Sequence, residues 1–197
     1  MEKIDKKKSA GRWKLFAVLA VCAAPMVFSY LTYYVIKPGG RTNYGTILDP
    51  RLYPMPSLGS HLLGGEPKEL TSFNGKWIML QVDSGACATA CKKKLYDMRQ
   101  LRLTQGKEME RVERVWFIID EAPVDTVAMR EYDGTSMIKV DASLLKKWLP
   151  TEADTQLNDH IYMIDPLGNL MMRFPKDADP NKIKKDISKL LRASAIG

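Results

Sequence analysis

A long stretch without charge constrains this chain more than any other feature. Residues 15–36 read LFAVLAVCAAPMVFSYLTYYVI and contain no charged side chain. A helix needs about 20 apolar residues to cross the hydrocarbon core of a bilayer, and a buried helix of a soluble domain is seldom this long and this free of charge. The sequence therefore predicts a transmembrane anchor over residues 15–36, preceded by a basic tail over residues 1–14.

Two other targeting signals are weaker explanations of this stretch. A cleaved signal peptide has a shorter apolar core, whereas this one continues well past the weak candidate cleavage site around Ala23. A lipoprotein would be processed at Cys22, but Val21 before it is larger than the small residue that this processing usually requires. We therefore expect an uncleaved anchor, with Cys22 as an apolar residue within it.

The charge distribution indicates an orientation and argues against nucleic-acid binding. Of the 30 basic and 23 acidic residues, residues 1–14 hold six and two, whereas only Lys37 and Arg41 closely follow the span. Basic residues flank the cytoplasmic end of a membrane helix. We therefore expect an inner-membrane protein with a cytoplasmic N-terminus and a periplasmic C-terminal domain. The rest of the chain has no basic stripe interleaved with aromatic residues, so we expect no nucleic-acid partner.

Beyond the span, the pattern predicts a linker and one α/β domain. Residues 37–56 are rich in Gly, Pro and polar residues, which is typical of a tether. Residues 57–197 alternate apolar runs with helical patterns, and buried strands joined by helices form parallel sheets. The predicted elements are strands at about Trp77–Val82, Arg114–Asp120 and 136–140, a hairpin at His160–Phe174, and helices between the strands and over residues 179–191. This order predicts a thioredoxin-like central sheet flanked by helices.

Two of the three cysteines lie close together after the first apolar run. Cys87 and Cys91 are spaced C-x-x-x-C where we expect a helix from about Cys87 to Gln105. Side chains at i and i+4 share a helix face, and the N-terminus of a helix favours a thiolate. A disulfide that closes three intervening residues removes little chain entropy, so it would stabilise the fold poorly. The pair is therefore predicted to be a redox couple or a ligand pair for a soft metal ion.

A metal site would need a further ligand, and the chain has only two histidines. His160 directly precedes the first strand of the predicted hairpin, whereas His61 lies before the domain core and is expected at the surface. The loop entering this strand lies beside the cysteine helix in a thioredoxin-like fold. We therefore expect His160 to approach Cys87 and Cys91, and two thiolates with one imidazole suit copper rather than magnesium or calcium.

These features together resemble the Sco/SenC family over roughly residues 55–192. The shared pattern is a single anchor, GKWIMLQV, the C-x-x-x-C pair, FIIDEAPVDT with Asp120 and Asp125, and DH before IYMIDPLGN. The chain departs from the family within its motif, where Ala88, Thr89 and Ala90 replace the usual proline and acidic residue, so it resembles a divergent member.

The resemblance implies a function, a cofactor and a partner. It implies one copper ion, Cu(I) or Cu(II), bound by Cys87, Cys91 and His160. It also implies a role in assembling the copper A site of cytochrome c oxidase, with subunit II or other assembly factors as partners. We expect a metallochaperone with possible thiol–disulfide reductase activity. The alternatives are a periplasmic thiol–disulfide oxidoreductase and a non-catalytic membrane protein associated with an oxidase.

Overall fold

The structure is a computed structural model that describes residues 3–36 and 43–196. It divides into two compact units, with the division between residues 42 and 43. The first unit is helical: α1, Lys3–Leu31, is followed by a π-helical turn, Thr32–Ile36. A stretch of this unit, Arg12–Val35, has a mean hydropathy of 2.0, and none of it is buried. Because this stretch is long and apolar enough to cross a membrane, the structure supports the predicted single-pass anchor.

The second unit is built on a single mixed sheet. Its seven strands lie in the order β1-β7-β6-β3-β4-β5-β2. Their bounds are β1 Thr46–Ile47, β2 His61–Leu62, β3 Trp77–Asp83, β4 Val112–Ile118, β5 Thr135–Lys139, β6 Ile161–Ile164 and β7 Leu170–Arg173. The central β3, β4 and β5 are parallel, and the other pairings are antiparallel.

Helices cover the sheet on both faces. The helices of this unit are α2 Thr89–Leu103, α3 Thr126–Glu131, α4 Ala142–Trp148 and α5 Pro180–Ala193. Leu95, Met98 and Ile183 place α2 and α5 against one face, together with Ala128 of α3. Leu145 and Trp148 of α4 pack on the opposite face.

Local sequence explains why these helices begin where they do. Asp125, Asp141 and Asp179 each accept a hydrogen bond from a backbone N–H in the first turn of the helix that follows. Such caps satisfy amide groups that the helix itself leaves free. Pro180 occupies the first turn of α5, where its missing N–H costs no hydrogen bond. Helices therefore separate the buried parallel strands, and the predicted thioredoxin-like fold with an N-terminal apolar helix is confirmed.

The two outer strands were not predicted from the sequence. The predicted linker, residues 37–56, lies partly outside the described residues. Its described part contributes β1, which pairs with β7, and it buries Leu48. Asp186 of α5 fixes this segment, because its carboxylate accepts hydrogen bonds from the backbone N–H groups of Tyr44 and Gly45 at 2.7 and 2.9 Å. The folded unit therefore begins at Asn43 rather than at the predicted residue 57.

The Asp186 carboxylate yields a first prediction. Asp186→Ala should lower the free energy of unfolding by about 2–3 kcal/mol, because two amide groups at a largely buried site lose a charged acceptor. The measurement is denaturant unfolding of the detergent-solubilised chain, followed by tryptophan fluorescence. Lys185→Ala, at an exposed position of the same helix, is the matched control and should change the value by less than about 0.5 kcal/mol. Equal effects of the two substitutions would contradict this role of Asp186.

Candidate functional site

Cys87 and Cys91 form a disulfide at the carboxyl edge of the parallel strands. Their Cα atoms are 5.1 Å apart, within the range that disulfides accept. The predicted helix starts later than expected, since α2 begins at Thr89 and Cys87 lies in the turn before it with a φ of 41°. The prediction that both cysteines lie within one helix is therefore wrong, because only Cys91 belongs to α2. Side chains at i and i+4 of a regular helix have Cβ atoms about 5–6 Å apart, which is too far for a disulfide, so the turn brings the sulfurs together.

The turn that carries Cys87 is fixed by the loop after β4. The carboxylate of Asp120 accepts a hydrogen bond from the Gly85 amide at 2.9 Å. Hydrogen bonds from the Ser84 hydroxyl and from the backbone amides of Gly85 and Ala122 lower the pKa of Asp120. A side chain at Gly85 would have its Cβ 2.1 Å from the Ala122 carbonyl oxygen, so only glycine allows this approach. Asp120, noted in the sequence as part of the Sco-like pattern, therefore positions the cysteine turn.

The disulfide lies just below the surface. Cys87 is 2% exposed and Cys91 is 1% exposed. Ala86, Ala88 and Thr89, small residues next to Cys87 in sequence, are all exposed. Cys87 belongs to the turn, whereas Cys91 lies within the first turn of α2. Cys87 therefore lies outside the helix, in a turn whose neighbouring residues are exposed.

Two polar groups beside the cysteines were missed by the sequence analysis. Gln81 of β3 is fully buried and donates hydrogen bonds to the Cys91 carbonyl oxygen and to its Sγ, at 3.3 and 3.1 Å. Asp83, at the end of the same strand, forms an ion pair with Lys94 of α2 at 3.2 Å. Burial lowers the pKa of Lys94, and the neighbouring Asp83 opposes that effect. Gln81 could have been noticed as the one uncharged polar residue in the apolar run WIMLQV.

The structure places His160 on the other face of the sheet. Gln81 pairs with Ile161, so these two side chains share the face that carries the cysteine helix. His160 directly precedes Ile161 with an extended backbone, φ −113° and ψ 157°, and successive side chains of extended chain point to opposite faces. Its ring lies 6.0 Å from that of Tyr162, whose side chain belongs to the core of the opposite face. The prediction that His160 approaches both sulfurs is therefore wrong.

Both ring nitrogens of His160 are already engaged. Nδ1 lies 2.8 Å from the Phe174 carbonyl oxygen, and Nε2 lies 2.7 Å from the Thr155 hydroxyl. A carbonyl only accepts, so Nδ1 carries the proton. Nε2 faces the Thr155 hydroxyl, which also lies 2.9 Å from the Glu152 carbonyl oxygen. Burial lowers the pKa of His160, which keeps the ring neutral. In this arrangement Nδ1 has no lone pair free for a metal ion, and Nε2 is in contact with the Thr155 hydroxyl. The other histidine, His61, is exposed on β2, as expected.

The residues present do not fit a three-ligand copper site in this conformation. The two sulfurs are bonded to each other, and His160 faces away from them. Within the described parts of the chain, no three His, Cys, Asp or Glu side chains are grouped so that they could hold a metal ion. What the arrangement can do directly is thiol–disulfide exchange.

Comparisons with solved structures place this fold beside two kinds of protein. Copper-bound ScoI of Bradyrhizobium japonicum is 16% identical with a TM-score of 0.52, over 68% of this chain and 97% of that chain. Copper-bound yeast Sco1 is 16% identical with a TM-score of 0.54, over 71% and 91%. A thiol:disulfide interchange protein from Bacteroides sp. is 15% identical with a TM-score of 0.52, over 71% and 89%. The predicted resemblance to Sco/SenC proteins is confirmed at the level of the fold.

Sequence comparisons assign the family. No curated protein matches the chain. Residues 77–194 match the family described as transmembrane-like, thioredoxin-like, C-terminal domain, and residues 5–35 match the transmembrane-like N-terminal domain. The first match covers more than half of the chain, and the chain therefore belongs to the transmembrane-like, thioredoxin-like family.

Proposed function

We propose that this protein is a membrane-anchored thiol–disulfide redox protein whose couple is Cys87 and Cys91. The observation that carries the proposal is the disulfide itself, which joins residues only four apart in sequence. Such a short loop removes little entropy from the unfolded chain, so the bond contributes little as a structural crosslink. Its position before the first core helix of a thioredoxin-like sheet suits exchange with a partner protein.

We infer different roles for the two sulfurs from their surroundings. Exchange proceeds by attack of a thiolate on one sulfur, which releases the other as a thiolate. Cys87 lies in the turn between exposed small residues, so a partner attacks there. Cys91 then leaves, within the first turn of α2 and beside the carboxamide of Gln81. The helix N-terminus and the hydrogen bond both favour negative charge on the departing sulfur.

The domain is proposed to lie in the periplasm, with the anchor in the inner membrane. The basic residues concentrated before the span support a cytoplasmic N-terminus. The disulfide supports the same orientation, because disulfides persist in the periplasm and are kept reduced in the cytosol.

A second candidate function is copper delivery. Solved Sco proteins with copper bound share this fold, and two thiolates are ligands that favour Cu(I). Copper would be cargo, one ion per chain, held by the reduced pair without His160. The recipient would be subunit II of cytochrome c oxidase, during assembly of its copper A site, or another assembly factor. Oxidation of the pair would release the ion, because the disulfide consumes both thiolates.

The redox proposal predicts that one cysteine captures a partner. Cys91→Ser, in a chain that also carries Cys22→Ala, should form a mixed disulfide through Cys87 that cannot be resolved from within the protein. The measurement is a non-reducing gel of membranes in which thiols have been blocked by acid and alkylation. We expect a band of higher mass that disappears on reduction.

Cys87→Ser in the same background is the matched control, and it should capture several-fold less because Cys91 lies inside the helix. Absence of captured protein from both variants would refute the redox role. The Cys91→Ser variant also reports orientation, since a membrane-impermeant maleimide should label Cys87 in intact cells after mild reduction. Labelling only in broken cells would place the domain in the cytoplasm.

The copper candidate predicts that His160 is dispensable for binding. Anaerobic titration of the reduced, detergent-solubilised chain against a Cu(I) chelator should give one ion per chain. Cys87→Ser or Cys91→Ser should abolish this binding, whereas His160→Ala should leave the affinity within about threefold because the ring is engaged on the other face. Weakening by more than about tenfold in folded His160→Ala protein would show that the histidine turns to the sulfurs. No Cu(I) bound by the reduced pair would remove copper delivery.

A further inference from the structure

Gln81 is a polar side chain in the interior of the sheet with no exposed surface. Its Nε2 lies 3.3 Å from the Cys91 carbonyl oxygen and 3.1 Å from Cys91 Sγ. The carbonyl oxygen can only accept a hydrogen bond, so the amino end of the carboxamide must face Cys91. The orientation of the carboxamide is therefore fixed, and its amino end contacts Cys91 Sγ.

The other end of the same carboxamide is unsatisfied. Gln81 Oε1 is buried and has no hydrogen-bond partner among the described residues. Buried polar side-chain atoms are nearly always paired, because leaving one unpaired costs free energy. An unpaired acceptor next to a disulfide needs an explanation, and the change of the sulfurs on reduction offers one.

Reduction gives the amino end of the carboxamide a better partner. A disulfide sulfur is a weak acceptor, whereas a hydrogen bond to a thiolate is charge-assisted and stronger. A thiol also carries an S–H group that can donate, and the unpaired Oε1 belongs to the carboxamide whose Nε2 lies 3.1 Å from Cys91 Sγ. The disulfide offers neither a charged acceptor nor a donor, so the contact of Gln81 with Cys91 favours the reduced pair.

We infer that Gln81 is a positioning residue that holds Cys91 as the leaving sulfur and shifts the couple toward its reduced form, so that the protein accepts electrons from a partner dithiol. This inference rests on the proposed redox function and adds its direction. A partner thiolate attacks Cys87 Sγ, the Cys87–Cys91 bond breaks, and Cys91 leaves as a thiolate. The second thiolate of the partner then attacks its own sulfur in the mixed disulfide and releases Cys87.

The step is balanced without any further reagent. The partner loses two electrons and gains a disulfide, and the pair takes up both electrons as two thiolates. The partner thiols give their protons to solvent before they attack, and the released thiolates of the pair take up protons from solvent. Gln81 itself neither gains nor loses a bond to sulfur. It donates to Cys91 throughout, to the disulfide sulfur before the step and to the thiolate that leaves.

The test measures the redox equilibrium of the full-length, detergent-solubilised chain carrying Cys22→Ala, in glutathione buffers at fixed pH. Gln81→Met keeps a side chain of similar size but removes both hydrogen-bonding ends. We expect the equilibrium constant for reduction to fall about tenfold, which corresponds to about 30 mV for a two-electron couple. Met79→Leu, at another fully buried position on the same face of β3, is the matched control and should stay within twofold.

A second measurement separates positioning from simple packing. The free energies of unfolding of the oxidised and reduced forms are compared for the wild type and for Gln81→Met. The inference predicts that the variant weakens the reduced form more than the oxidised form, which loses no strong hydrogen bond. Equal destabilisation of both forms would show a merely structural role. Gln81→Leu serves the same comparison if the methionine variant does not fold.

The outcomes also distinguish this inference from the proposed function. A wild-type pair that never exchanges with glutathione while the fold stays intact overturns the redox function and the inference with it. A wild-type pair that exchanges reversibly, with a Gln81→Met equilibrium within twofold of the wild type, overturns only the role of Gln81. A shift toward the reduced form in the variant would reverse the direction inferred here.

Discussion

The antiparallel pairing of β6 with β3 decides which side chains can meet in this protein. In this register Gln81 lies opposite Ile161, and both face the helix that carries Cys91. The neighbouring residue, His160, consequently faces the other core and hydrogen-bonds to Phe174 and Thr155. Because side chains alternate along a strand, a shift of one residue would exchange these positions. In this register the carboxamide of Gln81 therefore lies beside the disulfide, whereas the imidazole of His160 lies on the other face of the sheet.

Sequence reasoning recovered the parts of this structure that depend on local pattern. The apolar runs of β3 and β4 are almost completely buried, as their composition predicts. Asp141 and Asp179 cap the first turns of α4 and α5, and aspartate at this position is a local sequence signal for the start of a helix. The short outer strand β1 escaped prediction because two residues in a segment rich in turns carry no periodicity, and its place depends on the distant Asp186.

The candidate site was predictable only in part, for a physical reason. The spacing of Cys87 and Cys91 indicates a functional pair, and the structure joins the two residues in a disulfide. The sequence shows that His160 adjoins a strand, but the face it occupies depends on pairing with a strand some 80 residues earlier. Gln81 could be suspected as a polar interruption of a buried strand, yet its contact with Cys91 depends on how α2 packs. Tertiary contacts, not local propensity, determine which residues meet at the sulfurs.

The redox role that we propose for Cys87 and Cys91 requires no third residue, and in this conformation His160 faces away from both sulfurs. The most direct test is the redox equilibrium of Cys87 and Cys91 in the wild-type pair, measured by alkylation and mass after incubation across glutathione ratios. We predict a reversible two-electron transition with a single midpoint, reached from either direction while tryptophan fluorescence shows the fold intact. A pair that stays oxidised at every ratio, or that reduces only when the domain unfolds, would show a buried structural crosslink and contradict the central claim.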